Sequence, residues 1–207
     1  MEKIPTPTVA RLCKVYTLVK ELKDSGKDKI SSTEIGDLLG LSAHSVRKDL
    51  NYFGEIGLSG AGYETAVLIE YIEKKLGFKK ERRACVVGLG RLGTAIMQYE
   101  KLLDQNIKVI AGFDSNINKV ETMKTTIPVY PAYDLEEIVK AKDIEIAILT
   151  VPGKVAKEVT ERLIKGGVKG IVNFTPVVLN FKDVYVTNID LVDEIRFLSA
   201  MFTLNVK

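Results

Sequence analysis

The stretch Cys85–Met97, CVVGLGRLGTAIM, restricts the possible folds more than any other part of the chain. An apolar, β-branched run meets Gly88-x-Gly90-x-x-Gly93 and passes directly into a helical pattern. The three glycines suit a tight turn, close backbone approach to a pyrophosphate, and close packing of helix on strand. The residues between them, Leu89, Arg91 and Leu92, belong to the same turn. N–H groups at the helix start then face the phosphates. A lone glycine triplet is weak evidence, but a second strand, IKVIAGFD, ends at Asp114, 21 residues past Gly93. There a carboxylate accepts hydrogen bonds from the adenosine ribose hydroxyls and repels a 2′-phosphate, which favours NAD(H) over NADP(H). A CoA-binding or a nucleotide-free Rossmann domain remains open as an alternative.

Two further strands end in turn-like sequences where such folds bind ligands. They are IAILTVPG, with Thr150, Val151 and Pro152, and GIVNFTP, with Asn173, Phe174, Thr175 and Pro176. The switch point of the sheet places such strand ends beside the far half of a dinucleotide. β-Branched runs alternate with helical stretches from Glu81 onward, which predicts βαβ units and a parallel sheet. Missing from this half are the groups a dehydrogenase uses on its substrate: no Tyr-x-x-x-Lys pair on a helix, no zinc ligand set and no histidine. The cofactor is therefore expected to be sensed, not consumed, and no catalytic residue is assigned; a small NAD(P)-dependent oxidoreductase with a helical N-terminal domain is the alternative that this absence disfavours.

Before Lys79 the apolar residues recur at helical spacing. Val9, Leu12, Tyr16, Val19 and Leu22 mark one face of a first helix. SSTEIGDLLG opens with a Ser31-x-x-Glu34 capping box and closes at Gly40. LSAHSVRKDLNYFG follows, with Ser42 as N-cap and Val46, Leu50 and Phe53 as its buried stripe. Two short helices about a tight turn predict a helix-turn-helix. GEIGLSGAGY, with four glycines in ten residues, reads as a β-ribbon wing, and ETAVLIEYIEKKLG as a linking helix. With its apolar stripe inward, the second helix presents His44, Ser45, Arg47, Lys48 and Asn51 together. Arginine grips guanine O6 and N7, lysine reaches phosphate or guanine, and asparagine suits adenine. A solvated face on a small helical domain is the plainer alternative.

Charge does not decide between them. The net charge is +3, and residues 1–80 hold 13 Lys and Arg against 11 Asp and Glu, a balance of +2. Any affinity for DNA must come from locally concentrated charge. Two cysteines make no disulfide framework, and Cys85 reads as a small hydrophobe in a buried strand. The single histidine makes a His-based metal site improbable. No apolar run approaches bilayer length and the N-terminus has no signal-peptide pattern, so a cytoplasmic location and no membrane partner are expected. The tail, IDLVDEIRFLSAMFTLNVK, sets Leu191, Ile195, Leu198 and Phe202 on one helical stripe, widened by Val192, Met201 and Val206. Such a stripe must pack on its own domain or on a partner subunit.

Over essentially its whole length the sequence resembles the Rex family of redox-sensing transcriptional repressors. The matching segments are VRKDLNYFGEIG, GAGY, VVGLGRLGTAI, FDSN, LTVP, GIVNFTPVVL and NIDL, with the apolar C-terminal helix. The resemblance implies a homodimer with winged-helix heads at 1–80, Rossmann domains for NADH or NAD⁺ at 81–187, and a swapped C-terminal helix at 188–207. It implies contacts from Ser45, Arg47, Lys48, Asn51 and Tyr63 to double-stranded operator DNA. The Gly88–Gly93 turn and Asp114 would hold the ADP half, and Thr150–Pro152 with Asn173–Pro176 the nicotinamide side. Tyr99, Asp190, Leu191 and Ile195 would couple cofactor state to the dimer. Three departures stand out. The wing has Leu58-Ser59 where basic residues are usual, Thr175 stands in NFTP where the family has NFAP, and Thr17 stands where some relatives carry arginine.

Overall fold

The computed structural model describes residues 4–54, 62–99, 102 and 106–204. The chain forms two compact units, Met1–Lys80 and Glu81–Lys207.

The first unit is built from α1 (Thr6–Asp24), β1 (Lys29–Ile30), α2 (Ser32–Leu39), α3 (Ala43–Leu50), β2 (Tyr63–Glu64) and α4 (Thr65–Leu76). Its helices begin where side chains replace missing backbone partners. Ser31 Oγ accepts from the Glu34 N–H while Glu34 Oε2 accepts from the Ser31 N–H, closing a reciprocal box at the start of α2. Gly40 takes the left-handed conformation that ends α2 (φ +67°), and Ser42 caps α3 through the Ser45 N–H. Leu12, Val15, Val19, Ile35, Val46, Leu50, Leu68 and Ile72 pack into one core. A charged tie sits at its edge: Asp49, 3% exposed, accepts from Arg11 at 2.6 and 2.7 Å and from Thr8 at 3.1 Å, pinning α3 to α1. β1 and β2 pair antiparallel. Most of the expected wing, with Leu58 and Ser59, lies outside the described residues.

The second unit is a six-stranded sheet flanked by helices. Its strands are β3 (Arg82–Val87), β4 (Ile107–Asp114), β5 (Val129–Pro131), β6 (Ile146–Leu149), β7 (Gly170–Asn173) and β8 (Tyr185–Asn188), in spatial order β5-β4-β3-β6-β7-β8 and parallel throughout. The helices are α5 (Arg91–Met97), α6 (Ile117–Thr122), α7 (Leu135–Ala141), α8 (Gly153–Gly166) and α9 (Leu191–Leu204). Alternate residues of the central strand feed two cores: Cys85 and Val87 join Phe113, Leu135 and Leu163, while Val86 joins Leu89, Met97 and Ile148. A sheet covered on both faces needs continuous apolar strands, which β3 and β6 supply. Burial pushes the Cys85 thiol up to about 12, so it packs as a small hydrophobe.

The terminal helix behaves differently. No residue of α9 is buried, and Leu191, Ile195, Leu198 and Phe202 stand 51–76% exposed. The alternative in which α9 packs on its own domain is therefore not the arrangement found.

Candidate functional site

The strand order reverses between β3 and β6, and the two chain segments leaving those strands part there to open a groove. Its volume is about 640 Å³, and its walls include Gly88, Gly90, Asp114, Thr150, Val151 and Pro152. The glycine turn is fixed by packing. Gly88 has φ +93°, and a Cβ on it would lie 2.9 Å from the Thr150 carbonyl carbon and oxygen. A Cβ on Gly93 would collide with the Gly88 carbonyl oxygen and with Thr150 Oγ1. Thr150 Oγ1 donates to Gly88 O at 2.6 Å, with Val87 O also within 3.1 Å, so its hydroxyl braces the turn. Leu89 is buried beneath the turn, whereas Arg91 and Leu92 on the first turn of α5 are exposed.

Asp114 is more occupied than its sequence position suggests. Oδ1 accepts from the Asn116 N–H at 2.8 Å, and Oδ2 accepts from the Leu89 N–H at 2.9 Å and from Lys119 Nζ at 3.0 Å. Lys119 Nζ also reaches Leu89 O at 3.1 Å, tying α6 to the glycine turn. Burial pushes the Asp114 carboxyl up, but the N–H groups of Asn116 and Leu89 and the Lys119 ammonium outweigh it and hold it below the ordinary carboxylate range. The sequence reading missed Lys119, although it follows FDSNIN directly. Arg162 of α8, which also lines the groove, donates to Ala132 O at 2.7 Å and Tyr133 O at 3.0 Å, and no motif marked it.

Asn173, Phe174, Thr175 and Pro176 do not line this groove. Pro176 packs beside Gly153, the residue after Pro152, where an added Cβ would meet Val177 Cγ2 at 2.8 Å and Pro176 Cγ at 3.3 Å. Asn173 is fully buried with its hydrogen-bonding capacity filled. Nδ2 donates to Val177 O (2.7 Å) and Asn188 Oδ1 (2.8 Å), and Oδ1 accepts from Thr175 N (3.0 Å) and Thr175 Oγ1 (2.8 Å). Asn188 in turn exchanges hydrogen bonds with the Leu179 backbone, so these two asparagines shape the loop after β7. Phe174 packs with the core around Leu89. Thr175 and Pro176 line a small cleft with Asp190, Asp193 and Glu194 at the foot of α9. Asp190 Oδ1 accepts from the Val192 N–H and caps that helix. Tyr99, 53% exposed, lines a different cleft with Met97 and Ile127.

In the first unit, Val46, Leu50 and Phe53 are buried, while His44, Arg47, Lys48 and Asn51 are exposed. Ser45 is half-buried and its hydroxyl bonds to that of Ser42 at 2.8 Å. Arg47 Nη1 donates to Ser32 Oγ at 2.9 Å, a tether from α3 to the start of α2 that the sequence did not announce. Tyr63 shares this neighbourhood: burial pushes its phenol up and the Arg47 charge pulls it partly back. Among the described residues no cluster of three His, Cys, Asp or Glu could hold a metal ion, and no helix is long and apolar enough to cross a membrane.

Comparison with known proteins bears on both units. A family model described as the putative DNA-binding protein N-terminus matches residues 3–51, and one described as a CoA binding domain matches 79–177. The redox-sensing transcriptional repressor Rex of Listeria welshimeri is 38% identical over 95% of this chain and 92% of its own length. That of Limosilactobacillus fermentum is 39% identical over 95% and 91%. The crystal structure of RSP in complex with β-NAD⁺ and operator DNA superposes with a TM-score of 0.90 at 28% identity, covering 99% of this chain and 95% of that one. The complex of RSP with β-NADH gives 0.88 at 27%, covering 99% and 97%. A reader-like helix pair, a dinucleotide-type groove and near-full-length similarity agree, and the chain belongs to the Rex family of redox-sensing transcriptional repressors.

Proposed function

We propose that this chain represses transcription in response to the NADH/NAD⁺ ratio, holding operator DNA when NADH is low and releasing it on binding NADH. The observation that carries the reading is the groove at the sheet's switch point, walled by Gly88, Gly90 and Asp114, in one chain with an exposed Arg47–Lys48 helix face. Residues 1–80 would form the DNA-binding head, 81–187 the NAD(H)-binding domain and 188–207 the dimerisation helix. Arg47, Lys48 and Asn51 are the candidate base and phosphate contacts, with Ser45 and Tyr63 beside them. Arg47 arrives on DNA already held by Ser32, which lowers the ordering cost of binding.

The exposed stripe of α9 supports a homodimer in which that helix is exchanged between subunits. Reduced nicotinamide is neutral and suits an apolar, partner-covered pocket, whereas the oxidised ring carries a positive charge into it. NADH then favours the dimer arrangement that does not fit DNA, and by linkage DNA weakens NADH binding by the same factor. The cofactor is sensed without turnover, and the repressor acts in the cytoplasm where its operator lies.

The match to a CoA binding domain favours one rival, because Lys119 offsets the charge by which Asp114 would reject the ribose 3′-phosphate of CoA. Titration of NADH fluorescence, with CoA as competitor, separates the two. Saturable NADH binding unaffected by CoA, with no NADH oxidation by the pure protein, is expected. Displacement by CoA at equal concentration would overturn the reading.

A further inference from the structure

Residues from α1, from α4 and from the chain beyond α4 meet where the first unit ends. The Tyr16 hydroxyl of α1, on a residue 7% exposed, donates to Glu73 Oε1 of α4 at 3.0 Å. Glu73 Oε2 lies 3.2 Å from Lys79 Nζ, and the Glu73 side chain is only 18% exposed. Between them Gly77 ends α4 in the left-handed conformation (φ +73°), and Phe78 meets the Tyr16 ring edge-on at 4.8 Å. The Phe78 N–H donates to Glu73 O at 3.0 Å, and the Lys80 N–H to Gly77 O at 3.1 Å. The second unit begins as abruptly. Glu81 Oε2 pairs with Lys108 Nζ at 2.6 Å, the Arg82 N–H donates to Asn106 O at 2.8 Å, and Arg82 Nη1 reaches both Glu145 carboxylate oxygens. What joins the two units is the backbone at Lys80 and Glu81.

We infer that Glu73 and Tyr16 are positioning residues for the DNA response: they clamp Phe78 and Lys79 onto the head, so that a movement of the second unit is passed to the head instead of being lost in the linker. This inference rests on the NADH-responsive reading above. The two heads of a dimer grip half-sites whose spacing the DNA helix fixes, so displacing the heads by a few ångströms is enough to spoil the match. That displacement reaches the heads only through the joint. With the clamp open, residues 77–80 become a flexible tether of about 10–12 Å, slack enough to absorb it. Closed, the clamp leaves the backbone at Lys80 and Glu81, which can bend but cannot lengthen. Glu73 is suited to the task because its two oxygens hold α1 and the linker at once. The hydrogen bond from Tyr16 carries the greater part, since the Lys79 side chain is 66% exposed and its ion pair is screened.

The test measures the dissociation constant for a duplex from upstream of the protein's own gene, by fluorescence anisotropy, with and without saturating NADH. Their ratio is the coupling factor, expected to be about tenfold or more in the wild type. Glu73→Ala should lower it to about twofold or less, while the NADH dissociation constant measured without DNA stays unchanged. Glu73→Gln keeps an acceptor for Tyr16 and should retain the wild-type factor within about twofold. Inserting Gly-Ser-Gly-Ser between Lys80 and Glu81 leaves every clamp residue in place but lengthens the joint by about 10–12 Å, and should uncouple as fully as Glu73→Ala. That insertion decides the matter if Glu73→Ala does not fold. A role in stability alone would lower the unfolding temperature of Glu73→Ala and leave its coupling factor at the wild-type value. An unchanged factor in folded Glu73→Ala, or in the insertion, overturns the inference while leaving NADH sensing intact. A wild type whose DNA binding ignores NADH would instead remove the repressor reading itself, and this inference with it.

Discussion

Replacing Ile195 with aspartate tests whether α9 belongs to a dimer interface. Leu191, Val192, Ile195, Phe197, Leu198, Phe202 and Leu204 are each between 51% and 76% exposed in the single chain. Full burial of such a side chain is worth about 1.5–3 kcal/mol, so covering the exposed part gives about 1 kcal/mol each. Seven side chains on each of two exchanged helices supply about 14 kcal/mol, against an association cost of about 4–15 kcal/mol. Other interface contacts must add to this for a firm dimer, so α9 is necessary but not lavish. Ile195→Asp removes the apolar gain and leaves an unpaired carboxylate in the interface, about 4 kcal/mol per site or 8 kcal/mol per dimer. At about 1.4 kcal/mol per decade, that weakens association by between five and six orders of magnitude. Multi-angle light scattering at micromolar concentration should therefore find a dimer for the wild type and a folded monomer for the variant. Because Ile195 is 57% exposed in the isolated chain, the monomer should keep its unfolding temperature. An intact Ile195→Asp dimer, or a monomeric wild type, refutes the argument.

Arg47→Ala should cost about 1–3 kcal/mol of specific DNA binding and relax base preference, whereas Lys48→Ala, if it touches only phosphate, should weaken all sequences alike and lower the salt slope by about one. Fluorescence anisotropy across a salt series distinguishes them, and normal binding by both would show that α3 is not the reader. Glu34 offers a pH test: its hydrogen bonds to Lys27, then to the Ser31 N–H, pull its carboxyl from 4.5 down to about 2. A lowered folded value means the contribution is fully present above pH 4.5 and is lost as pH falls toward 2, so wild-type stability should decline across that window. In Glu34→Gln this part of the acid dependence should vanish from a circular-dichroism titration. Thr160 on α8 buries a hydroxyl that finds no hydrogen-bond partner among the described residues, so Thr160→Val should stabilise the fold by about 1 kcal/mol, read as a higher denaturation midpoint.

The features legible in the sequence were those that local chemistry dictates. Ser31, Glu34, Gly40 and Ser42 announced the ends of α2 and α3 because capping partners lie within three or four residues. The run from Cys85 to Gly93 announced a strand, a turn and a helix because only glycine fits against Thr150 and Gly88. What stayed hidden were pairings set by the tertiary fold. Arg11 meets Asp49 across 38 residues, and Asn173 meets Asn188 across 15. Nothing in either neighbourhood signals the partner. Asp114 was found by position, but its partner Lys119 was not, because that side chain comes back to it only once α6 has turned. Likewise, Asn173 stood at the expected strand end, yet the fold spends its amide on the loop that follows.

The central claim is that one chain carries DNA binding and cofactor sensing and that each ligand opposes the other. The most direct measurement is a gel shift on the region upstream of the protein's own gene, with NADH and NAD⁺ varied separately at fixed total dinucleotide. A retarded band that persists in NAD⁺ and is lost as NADH rises is predicted. A band equally sensitive to both cofactors, or to neither, would contradict the account.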